Sequence, residues 1–244
     1  MNTVTRIEDA LASAHTVAML GLARALQFGD STLPTGAFSF SHGLESAIER
    51  KIVTDAASLK EFARTAVEQA SRSDVIALQE AYDAALDGEL DKVAAIDRYL
   101  FNRKLNEEPR NMTVRTGKKL VEMSAKVMPK SCVADWLARV VAGTTPGTYP
   151  VSLAVVFVAM GQPMQDCVVV HQYNVAMAIL SASLRLMKVD HFDTQKLLFE
   201  LNDEIASDFA RSSKKNLSDI ATFAPVVDVL ASVHVKAHVR LFMS

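Results

Sequence analysis

Apolar residues recur at three- and four-residue steps through most of this 244-residue chain, and that period leaves room for little except helices. Between Thr54 and Ala70 the residues Leu59, Phe62, Ala63, Ala66, Val67 and Ala70 form one stripe, with Thr54 or Asp55 available as the N-cap. The same spacing predicts helices over 75–86, over 90–105 around Val93, Ile96 and Leu100, and over 112–127 through Val121. Gly88 and the Glu108-Pro109 step supply the breaks. A short helix over 134–141 carries the single Trp136, and Gly143-Thr144-Thr145-Pro146-Gly147 ends it with turn chemistry.

Three more helices follow over 151–160, 165–188 and 193–209, with Gly161 and Pro163 between the first two, and Pro225 opens a last one. The segment 165–188 is apolar on nearly every face, which predicts a central helix with the amphipathic ones around it. Half of the residues are hydrophobic but only 7% are aromatic, so the core is built from Ala, Val, Leu, Ile and Met. No strand-like alternation, repeat or low-complexity linker interrupts the pattern. The expected fold is an all-α, single-domain bundle of about ten helices spanning 1–244, with residues 1–20 as a peripheral N-terminal segment.

A net charge of −2 gives no general attraction for nucleic acid or anionic lipid. The apolar run 151–160 is about half of the roughly 20 residues needed to span a bilayer. The run 167–187 is interrupted by His171, Gln172, Asn174 and Arg185 and reads as a buried helix. The N-terminus, with Arg6, Glu8 and Asp9, lacks the layout of a secretory signal. Cys132 and Cys167 form no Cys-x-x-Cys pattern, so neither a zinc knuckle nor a disulfide scaffold is expected. A reducing cytoplasm fits these features, with no membrane or nucleic acid among the partners.

Catalytic patterns fail one by one. Gly117-Lys118-Lys119 lacks both the upstream glycine and the Ser or Thr of a phosphate loop. Ser39, Ser41, His42 and Glu45 supply nucleophile, base and carboxylate types without a nucleophile elbow. His234 and His238, four apart, share a helix face and are either packing residues or the start of a metal site. A helical enzyme or ligand-binding bundle using His42 with Glu45, or His234 with His238, is thus the alternative to a protein without chemistry of its own. The charged stretch Arg103, Lys104, Arg110, Arg115, Lys118, Lys119, Lys126 and Lys130 is either a solvated face or a surface for an acidic partner.

Two segments stand out. The stretch Asp30–Glu45 concentrates Pro34, Gly36, Gly43, Phe38 and Phe40 in a chain with nine Gly and seven Pro. Pro34 presets a turn and Gly36 permits a left-handed backbone, so this is a helix–turn–helix corner or an interaction element. The chain closes on His238-Val239-Arg240-Leu241-Phe242-Met243-Ser244, an apolar tail that packs on its own core or on another protein.

These two segments resemble the urease accessory proteins called UreF. The N-terminal match is Leu33-Pro34-Thr35-Gly36-Ala37-Phe38-Ser39 followed by Gly43-Leu44-Glu45, and the C-terminal match is Pro225, His234, Arg240, Leu241, Phe242 and Ser244 in the family's spacing. Ala182 with Leu184-Arg185-Leu186 is a third. Lys188-Val189-Asp190-His191 departs from the family's Pro-Leu-Gly-Gln, and Val235 stands where Glu often follows the histidine.

The resemblance implies a cytoplasmic, non-enzymatic, dimeric chaperone for nickel insertion into apo-urease. It implies binding to an accessory subunit of the UreD (UreH) type and recruitment of a UreG-type GTPase. No cofactor or metal ligand of the chain's own is expected. The partner-binding residues expected on this basis are Pro34, Gly36, Phe38, His42, Glu45, Arg240, Leu241 and Phe242, with 239–244 as a docking tail. Arg240 offers a bidentate guanidinium, and Leu241 and Phe242 are the apolar anchors beside it.

Overall fold

The computed structural model describes residues 3–30, 32–36, 40–222 and 230, with side chains from His15 onward. Among them are eleven α-helices and no strand. They are α1 (Thr3–Gly29), α2 (Leu44–Glu49), α3 (Ala56–Ser71), α4 (Asp74–Leu86), α5 (Leu90–Arg103) and α6 (Glu107–Val127). Then come α7 (Cys132–Val141), α8 (Tyr149–Ala159), α9 (Met164–Leu186), α10 (His191–Asn202) and α11 (Ile205–Ser212), followed by a 3₁₀ turn at Leu217–Asp219. The chain is an all-α single domain. The Pro225 helix lies outside the described residues except for Leu230, which is helical and buried.

Local chemistry sets the boundaries. Asp55 caps α3 by accepting from the Ser58 N–H at 2.8 Å, while Ser58 Oγ accepts from the Asp55 N–H at 3.1 Å, a reciprocal capping box. The Glu108-Pro109 step, expected to be a break, instead lies inside α6. Pro109 sits in the first turn of α6, where a missing N–H leaves no bond unmade. The expected helix over 193–209 divides into α10 and α11 at Asn202-Asp203-Glu204, three residues whose polar side chains compete with the helical backbone. Helix α1 was not anticipated. It touches the body through Gly21, Ala25, Phe28 and Gly29, while residues 15–20 are exposed.

The helix at the centre is α8, not the expected 165–188 segment. Every residue from Pro150 to Phe157 is buried, with α4, α5, α6, α7 and α9 packed around it. Each large apolar side chain fully withdrawn from water stabilises by roughly 1.5–3 kcal/mol. Helix α9 has a different role. Cys167 and Val168 enter the core around α8, whereas Ala176, Ile179, Leu180 and Ala182 enter a second core with α2, α3, α10 and Leu230. Its buried His171, Gln172 and Ser183 and its exposed Val169 leave it half-buried, a bridge between two apolar clusters.

A helix buried from its first turn cannot satisfy its leading N–H groups with water. Here a neighbour does it. Asp97 of α5, fully buried, accepts from Gly147 N at 2.6 Å, Thr148 N at 2.9 Å, Thr145 Oγ1 at 2.6 Å and Thr148 Oγ1. Thr113 of α6 accepts from Tyr149 N at 3.1 Å. Burial pushes the Asp97 carboxyl up, and the four donors pull against it. Gly117 completes the joint: a Cβ there would collide with the Gly147 carbonyl oxygen and lie 2.7 Å from the Tyr149 nitrogen. Gly117 of the Gly-Lys-Lys sequence therefore serves helix packing.

Asp97→Ala is expected to lower unfolding stability by about 3 kcal/mol or more, because it orphans buried donors, read as the shift of a urea unfolding midpoint. Gly117→Ala is expected to cost about 1–3 kcal/mol by overpacking against backbone, with the far-ultraviolet helical signal retained at low denaturant.

Candidate functional site

The conspicuous turn begins where α1 ends. Asp30 accepts from the Thr32 N–H at 2.7 Å, and Leu33 N donates to the Asp30 carbonyl at 3.0 Å. Pro34 is exposed, and Gly36 has φ 82° with nothing within 4 Å of where a Cβ would lie, so conformation and not crowding selects glycine there. The chain re-enters the body at Phe40 and Ser41, both buried. His42 (φ 53°) and Gly43 (φ 81°) are then both left-handed, and α2 starts. Glu45 is buried in the first turn of α2, where a carboxylate complements the helix dipole.

Of the residues expected to meet partners, Pro34, Gly36, His42 and Glu45 therefore lie on this one corner, Pro34 outward and Glu45 inward. Phe38, Arg240, Leu241 and Phe242 lie outside the described residues, as do His234 and His238.

Sequence reasoning missed what His42 faces. Lys104, at the C-cap of α5, donates to both oxygens of Asp74, the first residue of α4, at 2.8 and 3.1 Å, and both side chains are largely buried. His171 of α9 brings its Nε2 to 3.8 Å from Asp74 Oδ2, and its buried Nδ1 has no hydrogen-bond partner among the described residues. The Tyr149 ring stands 6.0 Å away and its phenol oxygen accepts from Asn174 Nδ2 at 2.8 Å.

Desolvation is the main reason that His42 and His171 are both pulled down from 6.5 to about 4, and the Lys104 charge adds to it, so both are neutral imidazoles at pH 7. Burial alone would push Asp74 up, but Lys104 and the histidines more than offset this and hold its carboxyl below the ordinary value.

Two cavities, of about 110 and 90 Å³, meet at this cluster, with His42, Asp74, Met112 and Val175 in the walls of both. They are large enough for a few waters. Among the described residues no three His, Cys, Asp or Glu side chains are arranged to hold a metal ion. Only the separation of these residues in sequence hid the cluster; the buried Lys104 stood inside the charged stretch.

That stretch is not a continuous basic face. Lys104 turns inward, Arg103 stacks on Tyr99 at 4.9 Å, Arg110 lies over Phe101 at 5.6 Å, and Lys119 pairs with Glu122 at 3.1 Å. The exposed apolar surface is elsewhere. Val17, Met19, Leu20, Leu22 and Leu26 on α1 are exposed, as are Phe192 and Phe199 two turns apart on α10. The face of α1 borders a groove closed by Gly161–Pro163, Val169 and Tyr173. Met164–Leu186 is the one described helix long and apolar enough to cross a bilayer, and its two buried clusters account for that composition.

The family model for UreF matches residues 53–202. The chain belongs to the UreF family. It is 49% identical over 223 residues to the urease accessory protein UreF of Photorhabdus laumondii, covering 91% of this chain and 98% of the relative. It is 50% identical over 221 residues to that of Yersinia pseudotuberculosis, covering 91% and 97%. A Brucella suis relative, urease accessory protein UreF 2, is 49% identical over 224 residues, 92% of each chain.

Lys104→Met is expected to destabilise by about 3–5 kcal/mol, because Asp74 is left as a buried, unpaired carboxylate, whereas Asp74→Asn combined with Lys104→Met recovers most of that loss. Denaturant unfolding of the two single variants and the double variant completes the cycle.

Proposed function

We propose that this chain is a non-catalytic scaffold in urease maturation. It joins an accessory subunit of the UreD or UreH type, a UreG-type GTPase and apo-urease so that nickel is inserted. The observation that carries this reading is its similarity to urease accessory proteins over more than nine-tenths of the chain. Two features of the structure support it. Large apolar side chains are exposed in groups on α1 and α10, as on surfaces that meet other proteins. The Asp30–Glu45 corner turns Pro34 outward while His42 and Glu45 are set into the body, an arrangement that shapes a surface.

In this reading the protein is a cytoplasmic homodimer. Pro34, Gly36, Phe38, His42 and Glu45 form or brace the face that receives the GTPase, and Arg240, Leu241 and Phe242 grip the accessory subunit. The guanidinium of Arg240 supplies charge-assisted hydrogen bonds, and the two apolar residues supply the desolvated anchor. The scaffold acts on nucleotide turnover only through unequal affinity for the states of the GTPase.

Co-purification of the full chain with the companion subunit and the GTPase tests the reading against a chain truncated after Val239. The full chain is expected to form the ternary assembly, and loss of the tail to weaken it at least tenfold. Equal assembly by both chains overturns the role of the tail, and no assembly by the full chain overturns the scaffold.

A further inference from the structure

We infer that His42, Asp74, Lys104 and His171 form an acid-operated catch, which holds the Phe40–Gly43 corner and α2 against α4 and α9 at neutral pH and releases them as the solution is acidified. Three geometric observations meet here. The corner enters the body through His42, a residue with a side chain in the left-handed region, a backbone state that persists only while the surroundings enforce it. His42 shares the walls of both cavities with Asp74, whose ion pair with Lys104 joins the start of α4 to the end of α5. His171, from α9, faces the same pair with one ring nitrogen unpartnered among the described residues, beside cavities into which the groups can shift.

The charges around the imidazoles come from every neighbouring element. Asp74 and Lys104 face them from α4 and α5, and Glu108 lines the adjoining cavity from α6. Asp30 lines the other cavity from the turn, Tyr149 faces His171 from α8, and Cys167 lies one turn back on α9. Asp74 favours a charged imidazole, but burial of both rings together with the Lys104 ammonium outweighs it. Burial keeps the Cys167 thiol and Tyr149 phenol protonated well above neutral pH, and the Asp74 carboxylate stays ionised above its lowered value. Between pH 7.5 and 5.5 the two imidazoles are therefore the groups of this cluster that drive opening.

The sign follows from linkage. A released imidazole titrates near 6.5 and an engaged one near 4, so the released state binds more protons throughout the interval between them. Lowering the pH from 7.5 to 5.5 favours release by about tenfold for one histidine and up to about a hundredfold for both. The bearing of this catch on partner docking rests on the scaffold reading above; the catch itself does not.

Hydrogen exchange of the isolated full-length protein, corrected for intrinsic rates, tests it without any partner. Protection of the amides over 40–49 is expected to fall at least tenfold from pH 7.5 to 5.5, while that over 151–157 in α8 stays within threefold. His42→Gln and His171→Gln are each expected to halve the slope of log protection against pH. Three outcomes overturn the catch: no pH dependence over 40–49 in the folded wild type, an equal fall over 151–157, or an unchanged slope in both variants. If one variant fails to fold, the other and the wild-type slope decide. Failure to assemble with the companion subunit and GTPase would overturn the scaffold reading and leave this result standing.

Discussion

The fold depends on how one helix, α8, is allowed to begin inside protein. Its sequence from Pro150 to Phe157 has almost nothing to offer water, and its burial supplies a large share of the apolar core. The same burial would strand the N–H groups of its first turn. Asp97 and Thr113, reaching in from α5 and α6, remove that penalty. Because the acceptors come from other helices, α8 is not capped until α5 and α6 are in place. The Gly117 notch adds a steric condition, since the α6 backbone and the 147–149 backbone must touch. Capping, close approach and core burial thus become one cooperative requirement.

The second half of the molecule is tied to this centre by α9, which contributes to both apolar clusters, and by the polar cluster that His171 enters from its buried side. That arrangement places the glycine-containing corner at a boundary between two cores. Phe40 and, in α2, Leu44 and Ala47 anchor it in apolar surroundings. The left-handed His42 and the small cavities mark the polar side of the corner. The exposed apolar side chains of α1 and α10, by contrast, belong to helices whose inward faces are already buried, so their outward faces are free for assembly.

Much of the architecture was legible in the order of residues. The apolar period located α3, α4, α5, α7 and α8 to within a few residues, and of the two N-cap candidates for α3, Thr54 and Asp55, the structure selects Asp55. The errors have physical causes. Hydropathy alone made 165–188 look central, but the helix runs from one apolar core to the other with His171, Gln172 and Ser183 buried along it, information that no local pattern contains. The basic stretch read as a surface feature because the partner of Lys104, Asp74, lies 30 positions earlier. Helix α1 escaped notice because, Phe28 apart, its buried face is made of Gly21, Ala25 and Gly29, small residues that give little apolar signal, with the two glycines fitting against Gln162 and Val170.

By itself the sequence determined the helical class, most helix positions, the glycine corner and the membership of the UreF family, because helix period, capping and left-handed glycines act over a few residues. Tertiary structure decided which helix became the centre, which carboxylate capped it, and which histidines came to share one buried ion pair. Those outcomes depend on contacts between residues 30 to 100 positions apart, where burial and desolvation, not local preference, select the partner.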